Sequence, residues 1–129
     1  MMRQAVLDSG AVSFFVEGSS RAKAVLAVLG IEGLWPPIVP SAVLVECLTG
    51  HPQKDVRTNR FLKSCDIGVT LDESAARRAA KLRTDAGKGS AVDAIVVAIA
   101  EPSGVVITGD TADITALAAH AADVTVHRV

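Results

Sequence analysis

Two short apolar runs in this chain stop abruptly at an aspartate, and no other feature constrains the fold as much. "AVLD", residues 5–8, and "GVVITGD", residues 104–110, each read as a buried strand that ends in negative charge. Strands this short and this uniformly apolar fit a parallel sheet covered on both faces.

Segments with helical punctuation alternate with these runs, which predicts an α/β fold in one layered domain, residues 1–129. Ser9-Gly10 turns the chain into a short helix, and "RAKAVLAVLG" is a helix that Gly30 should stop. "LWPPIVP" is irregular, with two or three strand residues near Ile38 and Val39. Ser41 can cap a helix, "AVLVECLTG", that ends near Gly50. A helix is expected over Lys54 to Ser64, then a strand at "DIGVTL". Thr70 and Glu73 have capping-box spacing for a helix reaching about Ala86. "GKG" breaks that helix. Ser90 starts "SAVDAIVVAIAE", which Pro102 ends. Thr111 to Ala121 is the last helix, and "VTVHRV" the closing strand. In such sheets ligands sit at the carboxyl ends of the strands, here at Asp8 and Asp110.

The chain has 129 residues, half of them hydrophobic, enough for one sizeable core and too apolar for disorder. Aromatics make up only 3% and Tyr is absent, which argues against a single-strand binder built on base stacking. The net charge of −1 excludes a uniformly basic nucleic-acid binder. Cys47 and Cys65 have no metal-ligand spacing and read as reduced thiols. Asp8 and Glu17 interrupt any leader-like apolar run. The longest apolar run, Ala94 to Ala100, falls far short of the ~20 residues a membrane span needs. A soluble, cytoplasmic protein with no membrane partner is expected.

Five acids carry the functional question. Asp8 follows a strand and precedes Ser-Gly, a frequent capping position. Glu46 is the lone acid of a segment apolar on every side, so it is expected to be buried and to need a cation, from Arg or Lys or from a metal. Asp93 can close a capping box with Ser90. Asp110 and Asp113 flank the start of the last helix, where either could cap it or suit its dipole. Each has this structural explanation. Jointly, converging carboxylates repel strongly unless a cation sits among them. All-oxygen ligands suit Mg²⁺ or Mn²⁺ rather than Zn²⁺. His51, His120 and His127 have no ligand spacing. An acidic metal cluster at a sheet's carboxyl edge suggests phosphoryl chemistry.

"VLDSGAV", "PSAVLVECLTG", "SAVDAIVVAIA" and "ITGDTADI", in this order and spacing, resemble the PIN-domain family, in particular VapC-type toxins of bacterial toxin–antitoxin pairs. The resemblance implies a parallel sheet of four to five strands flanked by helices on both faces. It also implies an endoribonuclease dependent on Mg²⁺ or Mn²⁺. The catalytic metal ligands would be Asp8, Glu46, Asp93 and Asp110, with Asp113 as a more variable fifth. Ser9 and Thr108 would support them. A homodimer and a cognate VapB-like antitoxin that blocks the site are implied as partners, beside the RNA substrate.

Basic residues recur at Lys54, Arg57, Arg60 and Lys63, then at Arg77, Arg78, Lys81, Arg83 and Lys88. They can be solvated helix faces or phosphate contacts. Lys88, with Ser90 and Arg83, is the better candidate for RNA phosphate, because "GKGS" runs into a helix start close to Asp93. Rival readings fare worse. A receiver domain needs an acidic pair after the first strand and a closing Lys. An aspartyl-phosphate phosphatase needs Asp-x-Asp where residues 8–10 are Asp-Ser-Gly. A binding-only relative of the same family is the main alternative.

Overall fold

The computed structural model describes residues 3–68 and 71–129. Its strands are β1 (Ala5–Leu7), β2 (Val105–Thr108) and β3 (Thr125–Arg128), in spatial order β1-β2-β3 and all parallel. The helices are α1 (Ser9–Glu17), α2 (Ser20–Ile31), α3 (Ser41–Cys47), α4 (Val56–Leu62), α5 (Glu73–Ala86), α6 (Ala91–Ala100) and α7 (Thr111–Ala118). The register pairs Leu7 with Ile107 and Ile107 with His127. Every residue of β1 and β2 is buried. Because successive side chains point to opposite faces, both faces of these two strands are covered. α1 and α6 pack on β1 and β2, and α7 packs on β2 and β3.

The sheet is narrower than expected. Among the described residues it has three strands rather than four to five. The chain near Ile38 and Val39 contributes one bridging residue, Ile38, which joins Val6 on one side and Asp66 on the other. Pro36, Pro37 and Pro40 around it supply no N–H, so no longer ladder can form. The expected strand "DIGVTL" is likewise represented by Asp66 alone. Its Val69 and Thr70 lie outside the described residues, as does the proposed Thr70 cap. Asp72 caps α5 instead, accepting the Ala75 N–H at 2.8 Å.

Other boundaries shift for local reasons. Gly30 does not stop α2, which continues to Ile31; Gly33, at φ 72°, takes the left-handed position just beyond. α3 ends at Cys47, short of Gly50, and its capping position is Pro40 rather than Ser41. α4 is shorter than the expected 54–64 because Asp55 is drawn back to the preceding loop. Its buried carboxylate accepts the Thr49 and Gly50 N–H groups and the Thr49 hydroxyl. α7 ends at Ala118, before Ala121.

The core is aliphatic, with Leu7, Leu82, Ile107, Ile114 and Leu117 among its largest fully buried side chains. Arg78 on α5 forks onto Glu101 at 2.8 and 2.7 Å and reaches the His120 carbonyl at 3.2 Å. This clasps three segments at the edge of the domain, and a bidentate pair of this kind is the stronger sort of charged hydrogen bond.

Where α1 leaves β1 and α7 leaves β2, the two backbones touch. A Cβ on Gly10 would lie 3.0 Å from the Gly109 Cα and 3.1 Å from its nitrogen. Only two glycines let the strand ends approach this closely. Gly10→Ala is therefore expected to force the two loops apart and cost about 1–3 kcal/mol. Gly30→Ala, inside α2 with open space around it, is expected to gain about 0.5–1 kcal/mol. Urea unfolding of both variants checks this; a Gly10→Ala protein as stable as wild type would contradict the close-approach argument.

Candidate metal centre

The site is built where β1 and β2 end. Asp8 is the residue after β1 and the N-cap of α1, its carboxylate accepting the Ala11 N–H at 2.8 Å. The capping role seen in the sequence is real, yet it uses only part of the group. The Gly109 N–H approaches the same capping oxygen at 3.4 Å, and the other carboxylate oxygen accepts the Thr108 hydroxyl. Thr108 is fully buried, and its oxygen also accepts the Asp110 N–H at 2.8 Å. One hydroxyl thus ties the acid of the first strand to the backbone of the acid after the second.

Asp8 is only 5% exposed, and no Lys or Arg pairs with it among the described residues. Burial pushes its carboxyl above the usual aspartate range. The Thr108, Ala11 and Gly109 hydrogen bonds pull the other way, and the Asp93 charge adds to the rise.

Three further carboxylates meet beside it. Asp93, Asp110 and Asp113 each offer an oxygen, and these oxygens lie within 4.8 Å of one another. Asp93 closes the capping box of α6: its carboxylate accepts the Ser90 N–H at 3.2 Å, and its own N–H donates to the Ser90 hydroxyl at 3.0 Å. Asp110 occupies the N-cap position of α7 but makes no side-chain capping bond. Its charge is therefore turned to the cluster and not spent on the helix. Asp113 follows in the first turn of α7, with the Lys88 ammonium 3.6 Å away.

Like charges at such a spacing repel by about 1 kcal/mol per pair even in bulk water. The donor set is all oxygen, with no His or Cys in the cluster. An octahedral Mg²⁺ with ligands at ~2.1 Å spans about 4.2 Å between opposite oxygens. Small side-chain rotations would bring these carboxylates to that spacing, so the residues present fit a hard divalent cation.

Glu46 requires a correction. The sequence predicts a buried acid, but Glu46 is exposed, as is Val45 at 82%. α3 is a seven-residue surface helix that buries Val43 alone. An all-apolar helix this short need not be enclosed, so the burial argument for a cation partner does not hold. Glu46 stands outside the three-carboxylate cluster. It stays near the site through Cys47, whose thiol is pushed up to about 11 by burial first and then by the Glu46 and Asp8 charges.

The remaining candidates divide. Ser9 is the first residue of α1 and half-buried. The Ser90 hydroxyl is engaged in its cap. Arg83 donates its Nε–H to the Gly89 carbonyl at 3.1 Å, bracing the loop that carries Lys88. Arg57 bonds the Val16 carbonyl, and Arg77 and Lys81 pair with Glu73 and Asp85 within α5, so much of the basic periodicity serves the protein's own surface. The sequence reading missed the Gly10–Gly109 contact. Its signal was present: an acid adjoins a small residue and a glycine at both strand ends, in "DSG" and "TGD".

The PIN domain family model matches residues 5–119. No curated protein matches the chain. Among solved structures, VapBC2 from Rickettsia felis bound to a promoter DNA fragment is similar at a TM-score of 0.72 and 14% identity, covering 98% of both chains. DNA-bound VapBC from Salmonella typhimurium gives 0.70 and 12%, again over 98% of each chain. FitAcB from Neisseria gonorrhoeae gives 0.68 and 23%, over 95% of each. At these identities the likeness concerns the fold. The family match spans both strand-end acids and the whole carboxylate cluster, and the chain belongs to the PIN domain family.

Proposed function

We propose that this PIN-domain protein is a Mg²⁺- or Mn²⁺-dependent endoribonuclease, acting as the VapC-type toxin of a toxin–antitoxin pair. The observation that carries the reading is Asp110: it occupies a helix N-cap, forgoes the cap, and meets Asp93 and Asp113 at the carboxyl edge of the sheet. PIN domains are generally nucleases, and the similar structures described above contain toxin–antitoxin complexes, which supports the toxin assignment. A VapB-like antitoxin, a homodimer and a cytoplasmic setting belong to the same proposal. No helix among the described residues is long and apolar enough to cross a membrane.

In this reading Asp93, Asp110 and Asp113 hold the cation, with Asp8 and Glu46 completing the acidic ring. When bound, the ion supplies Lewis-acid charge at the phosphate and a water of lowered pKa. Thr108 fixes the rotamer of Asp8. Ser9 lines the same turn. Lys88, Arg83 and Ser90 lie along the approach to Asp93 and Asp113, where an RNA backbone would run.

The test is cleavage of RNA by the purified protein in Mg²⁺ or Mn²⁺, with and without EDTA. Asp110→Asn is expected to lose on the order of a hundredfold or more in rate, while its unfolding midpoint in EDTA does not fall, since the side chain makes no cap bond and its charge is repelled by its neighbours. Metal binding with no cleavage of any RNA would instead favour a binding-only PIN protein.

Asp8 gives a separate pH signature. Its folded-state pKa is raised, so between the unfolded and the folded value the folded protein holds more protons than the unfolded chain. In metal-free buffer the Asp8 contribution to stability is therefore greatest in acid. It is lost as pH rises from the ordinary aspartate pKa through the raised one. Asp8→Asn is expected to flatten that segment of a stability-against-pH curve measured in EDTA; an unchanged slope would contradict the assigned shift.

A further inference from the structure

One cation is delivered to the acidic cluster by a loop that the fold holds from two sides. Lys88 sits between Gly87 and Gly89, both at positive φ, 68° and 97°. Gly87 ends α5 in the left-handed conformation. Gly89 is pressed on α7: a Cβ there would lie 2.7 Å from the Leu117 Cδ1. Leu117 is fully buried and four residues after Asp113, on the same face of the helix. From the other side the Arg83 Nε–H holds the Gly89 carbonyl at 3.1 Å. The Lys88 ammonium then comes to rest 3.6 Å from the Asp113 carboxylate. Neither partner is buried, with side chains 51% and 33% exposed, so the pair is weak and easily displaced.

We propose that Lys88 is a tethered counter-cation of the Asp93–Asp110–Asp113 cluster, offsetting its repulsion in the metal-free protein and thereby setting how tightly the site takes up a divalent ion. This rests on reading the cluster as a cation site. Three carboxylates and one ammonium leave two negative charges, so the cluster still attracts a divalent ion while Lys88 is paired. The ammonium and an incoming ion compete for Asp113 and repel each other. Lys88 is a positioning residue in this scheme: it acts on the ion through the carboxylates. Once displaced, its ammonium is free for a phosphate on the same side of the site.

The test is isothermal titration of the full-length protein with Mn²⁺ at low ionic strength, with no RNA present. Lys88→Met is expected to bind Mn²⁺ about three- to tenfold more tightly than wild type, the scale of one unit charge acting across a few ångströms of solvent. Raising the salt should shrink that gap, and Lys88→Arg, which keeps the charge, should bind as wild type does. Circular dichroism in EDTA serves as the folding control for this exposed residue. Unchanged or weaker Mn²⁺ binding by folded Lys88→Met would overturn the inference and leave the ribonuclease reading standing. Mn²⁺ binding to neither protein would overturn the cation-site reading and this inference with it.

Discussion

The buried Thr108 hydroxyl that donates to Asp8 and accepts from the Asp110 backbone is the contact on which the site depends. It joins residues a hundred positions apart in sequence. It also fixes the spacing of two carboxyl-bearing strand ends that electrostatics alone would drive apart. The parallel pairing of β1 with β2 brings those ends level, Leu7 opposite Ile107. The Gly10–Gly109 backbone contact removes the side chains that would otherwise separate them. The rest of the fold then supplies two helix starts, α6 and α7, that aim their first-turn aspartates at the same point.

In the proposed cation site, one aspartate would serve as both a cap and a ligand. Asp8 and Asp93 each spend an oxygen on a helix N-terminus, which anchors the carboxylate before any ion arrives. Asp110 and Asp113 lack that anchor and are tied instead through backbone and through Lys88. An anchored pair facing a looser pair suits a cation that needs near-octahedral geometry yet has to be reached from solvent.

Much of this was legible in the sequence because it was local. The apolar run at 5–7, the β-branched run at 105–108, the Ser90–Asp93 capping box and the acids at strand ends all follow from residues a few positions apart. Among the described residues the sheet is narrower than expected because a strand propensity at Ile38 and Val39 cannot overcome the missing N–H groups of the prolines around it. The burial of Glu46 was misjudged because a short helix apolar on all sides reads the same whether it lies in a core or on a surface, and Val45 and Glu46 turned out to face solvent. The pinning of Gly89 on Leu117 was not legible, since it joins distant segments and leaves no periodic trace, and the only local trace of the Gly10–Gly109 approach is the glycine near each strand-end acid, in "DSG" and "TGD".

The central claim is that the carboxylates at this edge of the sheet hold one divalent cation. A crystal of the protein soaked in Mn²⁺, with the anomalous signal of the metal recorded, tests it most directly. The account predicts a peak among Asp93, Asp110 and Asp113, with carboxylate oxygens at roughly 2.1–2.2 Å and Lys88 withdrawn from Asp113. A soaked crystal with no peak at this edge, and with Lys88 still paired to Asp113, would contradict it.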